Sequence, residues 1–146
     1  MTVHLVKLAV GIEDFSHLAR VQKERMDGAA RAGKGAELRH ITRHRPKRAE
    51  DILAGGSLYW VIGGAIMARQ RILGFEDGAK QDGTPACAIR LDPVLVPTRP
   101  RAWRPFQGWR YLDPAKVPSD SDISKMVGVE KLPAELRREL MALGLI

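Results

Sequence analysis

The chain is poor in several residue types, and each shortage narrows what it can do. One cysteine, Cys87, stands among 146 residues, so no internal disulfide can form; its apolar neighbours mark it as a buried thiol. No apolar run approaches the roughly 18 residues of a membrane helix, which predicts no membrane span. The opening Met-Thr-Val-His-Leu-Val-Lys-Leu has neither a basic leader nor a long apolar segment, so it is not a signal peptide. Those absences predict a cytoplasmic protein with no membrane partner. Oligomeric state leaves no mark on the sequence.

Motifs of common chemistries are missing as well. Gly55-Gly56-Ser57 approaches a nucleophile turn, but Tyr59 stands where Gly-x-Ser-x-Gly needs its last glycine. Gly33-Lys34-Gly35 is too short for a phosphate loop. His40 and His44 end a strand rather than ride a helix, have no third ligand at matching spacing, and are flanked by Arg39, Arg43 and Arg45, which repel a divalent cation. Carboxylates are scattered, with no pair at a spacing that marks acid–base work, and Asp92-Pro93 reads as a turn. No catalytic residue, metal site or cofactor is predicted, and no internal repeat is visible.

Acid is also absent from two stretches, and there the sequence becomes informative. The net charge is +7 and the isoelectric point near 10.0. Between Arg39 and Arg48 lie Arg39, Arg43, Arg45, Lys47 and Arg48; between Thr98 and Arg110 lie Arg99, Arg101, Arg104 and Arg110. These two stretches alone exceed the net excess, so the remainder is near neutral. Concentrated charge of this kind attracts polyanions, although basic loops also serve solubility alone.

The chain is long enough for one core and predicts a single domain over 1–146. Its centre is the hairpin of 57–62 and 65–72 around Gly63-Gly64, which can take the positive φ angles of a two-residue turn. A regular register pairs Ile62 with Ala65, Trp60 with Met67 and Leu58 with Arg69. Both faces are apolar near the turn, which predicts a wall with protein on both sides. Before it come a strand over 3–10, a helix to about residue 31, a strand over 36–43 and a short helix over 47–53. After it the strand runs to about residue 75, a polar loop spans 76–83, and another strand covers 84–91. Pro93 and Pro97 limit 94–96 as interior strand, and 98–113 reads as neither helical nor alternating. A surface excursion over 113–128 and a last helix over 132–143 complete the chain. The order predicts an α+β fold: a small, bent, mostly antiparallel sheet or a partly closed β-barrel flanked by helices.

Two constellations carry possible function. Arg43-His44-Arg45-Pro46-Lys47-Arg48 lies at a strand-to-helix junction, where guanidinium groups and free N–H groups make a phosphate seat. Trp103, Arg104, Phe106, Gln107, Trp109, Arg110 and Tyr111 interleave cations with rings, and four aromatics in nine residues stand out in a chain with 5% aromatics. That mixture suits unpaired nucleotides, with rings on bases, Arg on phosphates and Gln107 on a base edge. The same rings could instead plug the end of the sheet.

Gly55-Gly56-Ser57-Leu58-Tyr59-Trp60-Val61-Ile62, Arg69-Gln70-Arg71-Ile72 and Phe106-Gln107-Gly108-Trp109-Arg110-Tyr111-Leu112, with His40-Ile41-Thr42-Arg43 upstream, resemble the bacterial domain of unknown function 1489 family. The likeness runs from Thr2-Val3-His4-Leu5 to Leu143-Gly144-Leu145; Gly63 departs from it, where a lysine is usual. The resemblance implies identity without mechanism. The order of elements is also similar to the PUA and ASCH barrels, whose members often bind RNA or modified nucleobases beside the barrel and in a few cases act on nucleosides.

The leading expectation is an RNA- or single-strand-binding module. Arg43, Arg45, Lys47 and Arg48 would hold phosphates, Arg69 would line the cleft floor, and Trp103 or Trp109 would stack a base. The alternatives are an enzyme on a nucleoside or phosphorylated small molecule, using Tyr59, His44 or Arg69, and a protein-interaction module using exposed rings of 103–111.

Overall fold

The computed structural model describes residues 2–33 and 38–121. Strand β1 (His4–Leu8) leads into helix α1 (Phe15–Arg31), which begins where the Asp14 carboxylate accepts the His17 N–H at 2.7 Å. Phe15, Leu18, Ala19, Gln22 and Met26 fall on one buried face, at the spacing a 3.6-residue turn requires. Strand β2 (Leu38–Thr42) follows, then the short helix α2 (Ala49–Leu53). Gly55 turns the chain at φ +111, and a Cβ on Gly56 would strike the carbonyl oxygens of Val3 and Ile52. Only glycine lets α2 close this tightly on the start of β1 before strand β3 (Ser57–Ile62) begins.

The remaining strands are β4 (Ala65–Ala79), β5 (Pro85–Leu91), β6 (Val96–Ala102) and β7 (Trp109–Leu112). They form one mixed, mostly antiparallel sheet in the order β2-β5-β4-β3-β1-β7, with β6 also on β4; β1 and β3 are parallel. With its two helices the protein is α+β. All six residues of β3 are buried. Leu58, Trp60 and Ile62 join the main core under α1, whereas Tyr59 and Val61 join a smaller one with Val6, Ile66 and Leu112. The hairpin is therefore a wall between two cores.

Three expectations need correction. The hairpin register holds only for Ile62–Ala65 and Val61–Ile66; a bulge at Met67 then sets Trp60 opposite Ala68, Tyr59 opposite Arg69 and Leu58 opposite Gln70. One extra residue flips every later side chain to the other face. Next, the polar run 76–79 is strand rather than loop, because β4 pairs with β5 as far as Ala79–Pro85. The 98–113 stretch likewise contains the end of β6 and all of β7; Pro97 and Pro100 hide β6 in the sequence, yet an outer strand tolerates them.

The sheet is not closed into a barrel, so of the two forms expected the mostly antiparallel sheet is the one observed. β2 and β7 are the two ends of its order, and no ladder joins them. Pro46 is buried in the loop that leaves β2, and a residue without an N–H cannot extend a ladder. Among the described residues no helix is long and apolar enough to cross a membrane. The expected helix over 132–143 and the 122–128 part of the expected excursion lie outside the described residues, as does the expected start of β2.

Candidate functional site

The open side of the sheet forms a cleft of about 930 Å³ between the loop after β2 and the loop that enters β7. Pro46 anchors the first loop inward, which leaves Arg43, His44, Arg45 and Lys47 exposed. Side chains of β7 tie the two loops together. The Trp109 indole N–H donates to the His44 carbonyl at 3.0 Å, and the Arg48 backbone N–H donates to the Tyr111 hydroxyl at 3.2 Å. The Trp109 and Tyr111 rings meet edge to face at 5.1 Å, and the Arg48 guanidinium lies 5.7 Å from the Tyr111 ring centre. Both loops are thus held without a strand ladder.

The wall is cationic. Lys7, Arg43, Arg45, Lys47, Lys80 and Arg110 line the cleft with His44, Gln107, Trp109 and Tyr111, and no carboxylate is among the lining residues. None of those six cations has an ion pair among the described residues. Lys7 projects from β1 directly opposite Trp109 in the ladder, and burial pushes its amine below the usual lysine range. Like charges held together without acid make a field that attracts anions.

The structure thus brings together Arg43, His44, Arg45, Lys47, Gln107, Trp109 and Arg110, and leaves the other candidates elsewhere. Arg48 pairs with Asp51 at 3.1 Å, and only its backbone and ring contact serve the cleft. Arg104 is exposed outside the lining. Trp103 packs with Phe106 against the smaller core, its ring 5.9 Å from the Arg101 guanidinium. Tyr59 is buried in that core, where desolvation pushes its phenol up. Arg69 does not line the cleft: its guanidinium grips both oxygens of Asp120 at 2.7 Å and donates to the Ser57 hydroxyl at 3.2 Å.

That last group is a brace. The His4 Nδ1 accepts the Ser57 N–H at 3.0 Å, and its ring meets Tyr59 edge to face at 5.3 Å. Burial, then Arg69, lowers the His4 pKa. Asp120 bridges to Thr98, and Ser121 N–H donates to the Pro97 carbonyl, so the pair fastens 119–121 along β6. His40 lies apart from His44, edge-on to Trp60 at 5.1 Å.

Lys7 and Lys80 are cleft residues that the sequence did not mark as site residues. A lysine within the apolar first strand was a usable signal for Lys7; Lys80, in a turn between strands, offered none. No curated protein and no solved structure matches this chain. One family model does, over residues 5–146, and the chain therefore belongs to the family described as protein of unknown function, DUF1489.

Proposed function

We propose that the cleft binds single-stranded nucleic acid, RNA above all. The observation that carries this reading is that Arg43, Arg45 and Lys47 of the first basic stretch meet Arg110 of the second, with Lys7 and Lys80, on one concave wall with no acid in its lining. Arg43, Arg45, Lys47 and Arg110 contact phosphates, Gln107 offers donors and an acceptor to a base edge, and the half-buried Trp109 supplies a ring at the floor. A groove of this size takes a few nucleotides, and its aromatic floor favours unpaired bases over a duplex.

Of the residues considered for nucleoside chemistry, only His44 reaches the cleft, which weighs against the enzymatic reading. Trp103 and Trp109 each pack against one of the protein's own cores, which weighs against a docking surface made of free rings.

Filter binding to a short single-stranded RNA at a series of salt concentrations tests the proposal. Affinity should fall steeply with salt, and Arg45→Ala with Lys47→Ala should weaken binding and shallow the slope. Salt-independent binding, or a double variant with wild-type affinity, would overturn it. Excess absorbance at 260 nm in the purified protein, removed by ribonuclease, is the simpler companion measurement.

A further inference from the structure

We propose that the small cavity behind Lys7 seats a phosphomonoester, the terminal phosphate of the strand that lies in the cleft. The oligonucleotide part of this proposal rests on the reading above; the phosphate site itself does not.

The cavity has a volume of about 170 Å³ and lies between β1, α1 and β2, with Trp60 of β3 and Leu91 of β5 in its inner wall. A cavity of about 150 Å³ elsewhere is known to hold a single six-membered ring, so this space suits one compact group rather than a passing chain. Lys7 lines both the cavity and the cleft, so the two share a wall. The cavity therefore adjoins the cleft at Lys7, within reach of the end of a strand held there.

The polar groups of the cavity point to an anion. Lys7 from β1, Arg25 from α1 and His40 and Arg39 from β2 line it, and no carboxylate does. Arg39 is turned to Glu76, with which it pairs at 3.0 Å. Lys7 and Arg25 have no ion pair among the described residues. The His40 Nε2 is buried and has no hydrogen-bond partner among the described residues, while its ring is held edge-on by Trp60. A half-buried amine without a counter-ion and a buried ring nitrogen without a partner are both unfavourable until something satisfies them. One anion that bears several acceptor oxygens satisfies both. A phosphomonoester does so better than a diester, because its second charge answers the second cation.

Burial and the nearby Lys7 and Arg25 keep the His40 imidazole neutral. An anion between them offsets the repulsion from those cations, so His40 titrates at higher pH once the site is filled.

The test compares single-stranded RNA hexamers ending in a 5′-phosphate, a 3′-phosphate or hydroxyls only, by fluorescence anisotropy on the full chain. One phosphorylated end should bind about tenfold tighter than the hydroxyl form, an increment of roughly 1.4 kcal/mol. Arg25→Ala and His40→Phe should erase that preference while leaving the hydroxyl-ended hexamer unchanged, whereas Arg45→Ala should weaken all three alike. In parallel, uridine monophosphate and inorganic phosphate are added while the His40 ring signals are followed by NMR. Movement of those signals without any end preference among hexamers assigns the site to free nucleotides. If neither the hexamer ends nor the small phosphates register, the proposal is overturned, even where hydroxyl-ended RNA still binds in the cleft.

Discussion

The cleft beside β7 gathers Arg43, Arg45, Lys47 and Arg110 without a carboxylate, whereas the corner where β4 meets residues 119–121 locks Arg69 against Asp120. The same side chain serves two ends. In the corner the guanidinium is spent on two hydrogen bonds of 2.7 Å and fastens one segment of the protein to another. In the cleft the charges are left unanswered and repel one another, a standing electrostatic strain that an external anion relieves. An arginine is thus informative about function only once its carboxylate, or the lack of one, is known. Arg48 makes the point within a single loop, since Asp51 takes its charge while Arg45 and Lys47 keep theirs.

Four measurements would break or sharpen this contrast. The largest effect belongs to His40, in the wall behind the cleft, whose pKa is lowered to about 4 by burial and by Lys7 and Arg25. Because the unfolded chain takes up this proton first, stability is full above about pH 6.5 and is lost as pH falls through about 4. The total is on the order of 3 kcal/mol. Urea midpoints at several pH values should show that slope in the wild type and a flatter one in His40→Phe.

Next in size, replacing Arg45, Lys47 and Arg110 together by alanine should reduce affinity for single-stranded RNA about a hundredfold at low salt, and lower the log–log salt slope by about 2. The melting temperature should hold or rise, since like charges have been removed. A fall in stability without loss of binding would place the cleft cations in the same class as Arg69.

The corner should behave in the opposite way. Arg69 holds the Asp120 carboxyl below its usual range, so its contribution is present above about pH 3.8 and disappears as pH falls through the lower folded value. With half of the Asp120 side chain exposed, Asp120→Asn should cost about 1 kcal/mol at pH 7 and nothing at strongly acid pH, with RNA binding unchanged. A change of similar size in stability is expected for Trp109→Phe, which removes the bond to the His44 carbonyl but keeps a ring. A loss of about 1 kcal/mol in stability and a few-fold loss in RNA affinity should follow, read by thermal melts and anisotropy.

The hairpin shows how far local pattern reaches. Gly63-Gly64 and the apolar runs on either side located the turn and both strands, and apolarity on both faces announced the two cores. The register beyond Val61 was not legible, because a bulge leaves no signature when Met67 would fit either face. The run Glu76-Asp77-Gly78 looked like loop for a related reason: its polarity reflects an exposed stretch of ladder with β5, and exposure alone does not end a strand. Within the candidate site, Arg43, Arg45, Lys47 and Arg110 were legible as clusters of one sign. Lys80 was not, since it reaches the cleft only because β4 and β5 extend to that turn.

By itself the sequence determined β1, the two helices, the central hairpin and the places where positive charge is dense, since these follow from neighbours a few residues apart. Only the tertiary structure decided which cations are free to meet a ligand. Asp120 is 51 residues from Arg69, and Trp109 is 65 from the His44 carbonyl it holds. Neutralisation falls off over a few ångströms of space, and distance along the chain carries no information about it until the chain has folded.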